Sequence, residues 1–306
     1  MKSAELKHPL RTGLPLAGIL VLLGMLGPSA CADPSTHIEK QFTVIVPVAN
    51  MYSQPTEDSD VVSQALYGTN VTLIEEKPGW AYIRTPDEYP GWVPLTAVRR
   101  IRAGERPYAS SGRVAQVEST LANLYREKDV TSYAPLLTVP YETQLEIISE
   151  AKSGERWLEV RLADGRTAYV QAGDVIFDPK PLSIEDAIAL AKRFLGVTYT
   201  WGGRSSLGYD CSGFTQMLMR RRGVLMPRDA DDQAAWTGLV PVKREKLKPG
   251  DLLYFGSSLE KITHTGMYIG NGEFIHDTTN TRPMVQISRL DDQPWTRLLV
   301  AGRRPK

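Results

Sequence analysis

Two stretches near the middle of the chain alternate between hydrophobic and polar positions with a period of two. The alternation is clear at Val71 and Leu73 in the first stretch and at Leu158 and Val160 in the second. Pro-Gly, Ser-Gly and Asp-Gly pairs interrupt these runs at short intervals. Short strands separated by such turns predict small β-barrels.

The two stretches also resemble each other in sequence. Three aligned elements carry the resemblance: Asn50-Met51-Tyr52 with Asn123-Leu124-Tyr125, Trp80 with Trp157, and Gly91-Trp92-Val93 with Ala168-Tyr169-Val170. The offset between the copies is 73 residues at the start and 77 afterwards. We therefore predict a tandem repeat, with one domain over residues 33–103 and a second over residues 104–180.

A helical pattern begins after the proline-rich joint Asp178-Pro179-Lys180-Pro181. Apolar residues recur every three or four positions over residues 184–195, and Ser183 precedes them as a helix cap. Two further helices are predicted, one from Cys211 to about Arg222 and one that begins near Asp229. Gly223 is expected to stop the first of these two.

Beyond Pro249-Gly250 the pattern changes from helices to strands. The predicted strands are Asp251–Phe255, Thr263–Ile269, Glu273–His276, Met284–Ile287 and Leu298–Ala301. Helices followed by an antiparallel sheet form an α+β arrangement. Residues 181–306 are therefore predicted to be a third domain.

The first 32 residues have the pattern of an export signal. Lys2, Lys7 and Arg11 precede a uniformly apolar run over residues 14–26, which is too short to span a bilayer comfortably. Small residues follow this run, as they do at the cleavage site of a signal. We therefore expect the protein to be exported to the cell envelope, either the periplasm or the cell surface.

Cys31 leaves two alternatives open for the mature N-terminus. Its acylation would make the protein a membrane-anchored lipoprotein, which we favour because the small Ala30 precedes it. Cleavage after Ala32 would instead remove the cysteine and release a soluble protein. A lipid anchor at Cys31 is thus the membrane attachment that we predict.

Composition argues against strong attraction to polyanions. The chain of 306 residues is 42% hydrophobic and 23% charged, and its formal net charge is +1. These values are typical of soluble globular domains. Since no long basic and aromatic stripe suggests a groove for nucleic acid, we expect no such partner.

The reactive side chains of the folded part lie in its last third. Of 2 cysteines and 4 histidines, Cys211, His264 and His276 remain once the N-terminal segment is set aside. A helix start stabilises a thiolate through the helix dipole and free backbone amides, and a nearby imidazole completes the activation. We predict Cys211 as the nucleophile, His264 as the base and His276 as the residue that orients it. Zinc sites usually draw on close ligand pairs, which this sequence lacks, so we expect no metal.

This assignment depends on the register of one hairpin. A strict two-residue Asn271-Gly272 loop would place the two histidines on opposite faces of the sheet. A three-residue loop that ends in a left-handed Gly272, with a bulge, places His276 opposite Gly266 and diagonal to His264. We predict the bulged hairpin.

The motifs around these residues resemble the NlpC family of papain-like cell-wall cysteine peptidases. The resemblance covers roughly residues 181–304 and rests on these motifs in order: Tyr199-x-Trp201-Gly202-Gly203, Asp210-Cys211-Ser212-Gly213-Phe214, His264-Thr265-Gly266-Met267-Tyr268-Ile269-Gly270 and Phe274-Ile275-His276. It implies a papain-like catalytic domain that hydrolyses peptidoglycan stem peptides without a metal or organic cofactor. The element Gly91-Trp92-Val93-Pro94 resembles the closing strand of bacterial SH3-like modules. The expected α+β fold is therefore a papain-like domain preceded by two small SH3-like β-barrels.

Two such modules ahead of the catalytic domain resemble one subgroup, which cleaves the bond from γ-D-glutamate to a diamino acid. In that subgroup the first module covers the cleft and leaves space only for a free N-terminal L-alanine. The resemblance implies substrate-binding residues at both ends of the dipeptide: Tyr89 and Asp229 near the ammonium, and Asp210 and Ser212 near the glutamyl end. It also implies an acid from the first module, for which Glu57 is a candidate.

The expected reaction passes through an acyl-enzyme on Cys211. Its oxyanion would be held by the Cys211 amide and the Tyr199 hydroxyl. Three alternatives remain open: an endopeptidase for intact peptidoglycan that uses the SH3-like modules for wall targeting, a non-catalytic wall-binding protein, and an acyltransferase or amidase. The presence of the cysteine and both histidines argues against the second, and the wall modules disfavour the third.

Overall fold

The computed structural model describes residues 40–149 and 154–306, and the predicted export signal with Cys31 lies outside them. Module 1 consists of the strands β1 (Gln41–Val44), β2 (Val48–Tyr52), β3 (Val61–Leu66), β4 (Asn70–Lys77), β5 (Trp80–Arg84), β6 (Pro90–Pro94) and β7 (Val98–Arg100). These strands form one sheet in the order β3-β2-β6-β5-β4-β1-β7. All of its pairs are antiparallel.

Module 2 repeats the same order of elements along the chain. Its strands are β8 (Val114–Val117), β9 (Leu121–Leu124), β10 (Leu137–Pro140), β11 (Gln144–Ser149), β12 (Trp157–Arg161), β13 (Thr167–Gln171) and β14 (Val175–Phe177). The first strand of each module pairs with the fourth and the last, as β1 does with β4 and β7 and β8 does with β11 and β14. The predicted repeat therefore appears in the pairing of the strands as well as in sequence.

Neither module closes into the barrel that the sequence predicted. In module 1, β2 reaches β6 through a single pair, Tyr52 and Trp92, and β3 and β7 remain at the edges of the sheet. In module 2, β9 and β10 form a separate two-stranded sheet, which the isolated bridge between Tyr125 and Tyr169 joins to β13. Too few pairs connect the two ends of each module to complete a closed ladder.

The C-terminal region, residues 181–306, combines helices with an antiparallel sheet. Its helices in the described chain are α1 (Ile184–Arg193), α2 (Cys211–Arg221), α3 (Ala230–Ala235) and α4 (Trp295–Leu298). Its strands are the short pair β15 (Arg204–Ser205) and β16 (Gly208–Tyr209), followed by β17 (Leu239–Val242), β18 (Leu252–Ser258), β19 (Lys261–Gly270), β20 (Glu273–Thr278), β21 (Met284–Arg289) and β22 (Leu299–Pro305). The main sheet has the order β17-β22-β18-β19-β20-β21.

The helices α1, α2 and α3 begin where the sequence predicts, whereas the short α4 was not predicted. The Ser183 side chain accepts a hydrogen bond from the Asp186 amide at 3.0 Å and so caps α1. The predicted helix from Cys211 is confirmed as α2, and Asp229 is the N-cap residue of α3. The edge strand β17 was not predicted, because its run is short and contains Pro241.

The sheet packs its two faces against different cores. One face lies against α2 in a core that includes Phe214, Leu218, Met267 and Ile275. The other face carries a smaller aromatic core around Phe255, Phe274 and Trp295. None of the helices in the described chain is both long and apolar enough to cross a membrane.

Candidate active site

Cys211 is the first residue of α2 and is only 8% exposed. Asp210 caps this helix, and its Oδ1 accepts a hydrogen bond from the Gly213 amide at 2.7 Å. The predicted position of the thiol at a helix N-terminus is thus confirmed. At this place the unpaired amides of the first turn and the positive end of the helix dipole favour negative charge on sulfur.

The hairpin between β19 and β20 has the predicted register. Tyr268 pairs with Phe274 and Gly270 pairs with Glu273, so Ile269 is an extra residue in β19. A side chain at Gly266 would lie 2.9 Å from the Cβ of His276, so the two residues face each other across the strands. The loop itself is shorter than predicted, because Asn271 and Gly272 alone connect the strands, with φ of 53° and 75°. These angles suit a two-residue turn, and the bulge lies in the strand instead of the loop.

The register brings the two histidines into direct contact. His264 Nε2 lies 2.7 Å from His276 Nδ1, and His276 Nε2 lies 3.0 Å from Ser288 Oγ on β21. Ser288 was not predicted, because a lone serine on an edge strand gives no signal in sequence. The Trp295 ring packs on both imidazoles, with centroids 5.2 Å from His264 and 4.8 Å from His276.

Burial disfavours separate charges on the thiol and the imidazole. It raises the pKa of Cys211 to about 12, with the Asp210 carboxylate adding to the shift, and it lowers the pKa of His264 to about 3. The backbone amide of Thr265 lies within hydrogen-bonding reach of the sulfur and partly opposes the first shift. His264 directly precedes Thr265 on β19, and transfer of the thiol proton to its imidazole would leave the net charge of the site unchanged, so ionisation as a pair would avoid much of this cost.

A cleft of about 520 Å³ opens beside Cys211. Its walls include six of the predicted site residues: Tyr89, Tyr199, Asp210, Cys211, Ser212 and Asp229. His264 and His276 do not line it, although Thr263, the neighbour of His264, does. Burial and the nearby Cys211 sulfur raise the pKa of the Tyr199 hydroxyl, so Tyr199 stays protonated beside the thiol.

Module 1 supplies one wall of this cleft. The Tyr89 hydroxyl donates a hydrogen bond to Asp229 Oδ2 at 2.9 Å, which joins residues 140 positions apart in sequence. Burial raises the pKa of both groups, and the Asp229 charge raises that of Tyr89 further. Glu57 is exposed and lies outside the lining, whereas Asp60 of the same loop belongs to it.

Arg228, which was missed from sequence, binds two residues that line the cleft, Asp210 and Ser212. It is 3% exposed and bonds both oxygens of Asp210, at 3.0 and 2.6 Å, and Ser212 Oγ at 2.8 Å. Its Nε also donates to Ser63 of module 1 at 3.3 Å. Because of these bonds to Arg228, Asp210 and Ser212 are already engaged within the protein. The one signal in sequence that could have indicated Arg228 was its position next to the predicted Asp229.

The described residues form no cluster of three or more His, Cys, Asp and Glu side chains that could hold a metal ion. Two acids of the cleft have partners within the protein: Asp210 is paired with Arg228, and Asp229 accepts a hydrogen bond from Tyr89.

Comparison with known proteins identifies the family. The model of the NlpC/P60 family matches residues 196–304, and the model of the bacterial dipeptidyl-peptidase Sh3 domain matches residues 51–98. The γ-D-glutamyl-L-lysine dipeptidyl-peptidase of Bacillus cereus is 30% identical over 264 residues, which cover 81% of this chain and 76% of the relative. This chain belongs to the NlpC/P60 family.

A second curated relative and a solved structure are similar in sequence and in fold. The γ-D-glutamyl-L-lysine dipeptidyl-peptidase of Bacillus subtilis is 29% identical over 260 residues, covering 81% of this chain and 82% of the relative. The crystal structure of an NlpC/P60 family protein from Bacillus cereus has a TM-score of 0.74 at 26% identity, covering 87% of this chain and 99% of that chain. The predicted NlpC-type fold with an SH3-like domain ahead of it is therefore confirmed. The SH3 match is confined to module 1.

Proposed function

We propose that this protein is a cysteine peptidase that hydrolyses the γ-D-glutamyl–diamino acid bond of peptidoglycan stem peptides with a free N-terminal L-alanine. The observation that carries the proposal is the hydrogen bond from Tyr89 to Asp229, which closes the cleft beside Cys211 with a wall from module 1. Relatives named γ-D-glutamyl-L-lysine dipeptidyl-peptidases match over most of the chain and support the same reaction.

Catalysis begins at Cys211 in this proposal. His264 takes the thiol proton, and the sulfur attacks the γ-glutamyl carbonyl to give an acyl-enzyme. His264 then returns the proton to the leaving amine of the diamino acid. Water hydrolyses the acyl-enzyme with His264 as the base again, and His276 holds the imidazole of His264 through the contact of 2.7 Å.

The oxyanion of each step needs fixed donors near the sulfur. The Cys211 backbone amide, at the start of α2, is one candidate donor. The Tyr199 hydroxyl is the second, because Tyr199 lines the cleft and its raised pKa keeps its proton in place. Preorganised donors of this kind commonly contribute a large share of the rate enhancement.

The ammonium of L-alanine would bind at the acidic end of the cleft. Asp229 and Asp60 supply negative charge there, and Tyr89 supplies an oxygen beside Asp229. We propose Asp60, in place of Glu57, as the acid that module 1 contributes. A substrate with an acylated amine would leave these carboxylates buried without a cation, which is costly.

Asp210 and Ser212 would act at the glutamyl end of the dipeptide. Arg228 neutralises Asp210 through two hydrogen bonds, so the main role that we propose for Asp210 is to fix the structure of the cleft wall. The Ser212 hydroxyl accepts from Arg228 and donates to Asp210 Oδ1 at 3.1 Å, and we propose that it turns this proton from Asp210 to the substrate carboxylate when the peptide binds.

The remaining assignments extend the same proposal to the whole chain. Residues 33–103 and 104–180 would be two SH3-like domains, residues 181–306 the peptidase domain and residues 1–32 an export signal with a lipid anchor at Cys31. Metabolic labelling with palmitate tests the anchor, since a Cys31→Ala variant should lose the label. Incorporation that is equal in both proteins would exclude it.

The deciding experiment compares four peptides by mass spectrometry. These are L-Ala-γ-D-Glu-L-Lys, its meso-diaminopimelate counterpart and the N-acetylated form of each, with Cys211→Ser as the matched inactive control. Cleavage of the free peptides alone supports the proposal. Equal cleavage of the acetylated peptides would contradict the amine requirement and favour an endopeptidase of intact peptidoglycan that uses its modules for targeting.

A further inference from the structure

One turn occurs at the same place in both modules but faces different neighbours. In module 1 the turn Tyr67-Gly68-Thr69 follows β3, and in module 2 the turn Tyr141-Glu142-Thr143 follows β10. The backbone bonds are equivalent: the tyrosine amides donate to Pro47 and Thr120 at 3.0 and 3.1 Å. The next amides donate to Val44 and Val117, both at 2.9 Å.

The tyrosine of each turn inserts into the core of the following unit. Tyr67 is 2% exposed and packs among the core residues of module 2, where its hydroxyl accepts from the Ala163 amide at 2.7 Å. Tyr141 is 1% exposed and packs in the core of the C-terminal region against Phe194. A tyrosine at the equivalent position thus packs module 1 against module 2 and module 2 against the peptidase region.

The second residue of the turn differs between the copies. Gly68 has a φ of 77°, the left-handed conformation that glycine adopts without cost. Glu142 has a φ of 68°, which is unfavourable for a residue with a side chain. Because this backbone conformation costs free energy at Glu142, we expect its side chain to make a contact that offsets the cost.

That contact is with the last turn of α2, the helix that begins at Cys211. The two Glu142 oxygens accept from Arg220 Nε at 3.1 Å and Nη2 at 2.6 Å, with the two side chains 9% and 24% exposed. The neighbouring Arg221 donates from Nε to the Tyr141 hydroxyl at 2.6 Å. One turn of module 2 therefore holds two consecutive arginines at the C-terminal end of α2.

A second path leads from the same turn to the other end of α2. The Tyr141 ring packs edge-on against Phe194 at 5.4 Å, and Phe194 packs against Tyr209 at 5.6 Å. Tyr209 lies two positions before Cys211 and is 1% exposed. The turn thus contacts the helix directly at its end and, through two aromatic rings, the segment that enters it.

We propose that module 2 positions the nucleophile, with Tyr141 and Glu142 as positioning residues that fix the location of Cys211 through α2. This assigns module 2 a role inside the peptidase, in contrast to a spacer or a wall-binding unit. The proposal rests on the proposed function for its turnover readout. A second readout, the reactivity of the Cys211 thiol, needs no substrate.

The test replaces Glu142 by the residue that module 1 has at this position. Glu142→Gly relieves the unfavourable φ and removes the ion pair with Arg220. It therefore keeps the backbone conformation of the turn while it removes the contact with α2. In the full chain we expect the rate of Cys211 alkylation by iodoacetamide, followed by mass spectrometry of the Cys211 peptide, to change about 5- to 20-fold. We expect kcat to fall by a similar factor, with KM within about twofold.

Two further variants separate positioning from simple stability. Arg220→Met should change both readouts as Glu142→Gly does, and the double variant should add little to either. Glu105→Gln is the matched control, because it breaks a bidentate pair with Arg99 at 3.0 and 2.7 Å whose partners both precede residue 181. It should leave alkylation and kcat unchanged.

The outcomes distinguish this inference from the proposed function. A Glu142→Gly protein that melts earlier, yet alkylates and turns over at the unaltered rate per folded molecule, would overturn the positioning role. If the unaltered protein cleaves none of the stem peptides while Glu142→Gly still changes Cys211 alkylation, the proposed function fails and the positioning role stands.

Discussion

His264 Nε2 lies 2.7 Å from His276 Nδ1, so one imidazole orients the other. The second nitrogen of His276 lies 3.0 Å from Ser288 Oγ. If His276 donates from Nε2–H to Ser288, its Nδ1 carries no proton and accepts a hydrogen bond from His264 Nε2–H. His264 Nδ1 is then the unprotonated nitrogen, ready to accept the thiol proton. In that arrangement the chain of three side chains sets the tautomer of the predicted base.

We predict that the two histidines contribute unequally to catalysis. His264→Ala removes the base and should lower kcat about 1,000-fold, whereas His276→Ala removes only its orientation and should lower kcat about 10- to 100-fold. His276→Asn keeps an acceptor near Nδ1 and should recover part of the loss. Steady-state kinetics on the free tripeptide measures all three. A larger loss from His276→Ala than from His264→Ala would exchange the two roles.

Tyr89→Phe should weaken binding of free stem peptides. The variant removes the hydroxyl that donates to Asp229 at 2.9 Å and keeps the aromatic ring, so we expect KM to rise about 10-fold with a smaller change in kcat. Tyr82→Phe is the matched control, because Tyr82 stacks on Trp92 in module 1 and does not line the cleft. Equal KM values for Tyr89→Phe and the unaltered protein would remove Tyr89 from the substrate site.

Arg228→Lys should destabilise the fold strongly, although it keeps the positive charge. Lysine cannot reproduce the two bonds to Asp210, and a poorly paired carboxylate would remain buried, so we expect a loss of about 3 kcal/mol in the free energy of unfolding. Arg99→Lys breaks a similar fork with Glu105, but those side chains are 29% and 32% exposed. That control should cost about 1 kcal/mol or less in urea unfolding. Similar losses in both variants would contradict the special role of Arg228.

The sequence predicted local features better than contacts between distant segments. The start of α2 at Cys211 and the position of His276 opposite Gly266 follow from a cap, a turn and strand alternation, all of which act over a few residues. The bonds of Arg228 to Asp210 and of Glu142 to Arg220 join elements that only the tertiary fold brings together. Tyr89 was predicted through its resemblance to a family, since its partner Asp229 lies 140 residues away.

Asp277 provides a pH-dependent test of the buried site. It follows His276 on β20, is fully buried, and neither of its carboxylate oxygens has a hydrogen-bond partner among the described residues. Burial and the Asp210 charge raise its pKa from 3.8 to about 8. The folded protein therefore holds a proton here at neutral pH that the unfolded chain has released.

This raised pKa makes stability fall as pH rises between about 4 and 8. Below this window both states are protonated and Asp277 costs nothing. Within it, folding must take up a proton, at a cost that grows by about 1.4 kcal/mol per pH unit. Asp277→Asn cannot titrate, so we expect its free energy of unfolding to lose this slope relative to the unaltered protein. Urea unfolding of both proteins from pH 4 to pH 9 measures the difference, and parallel curves over that range would show that Asp277 is ionised in the folded state.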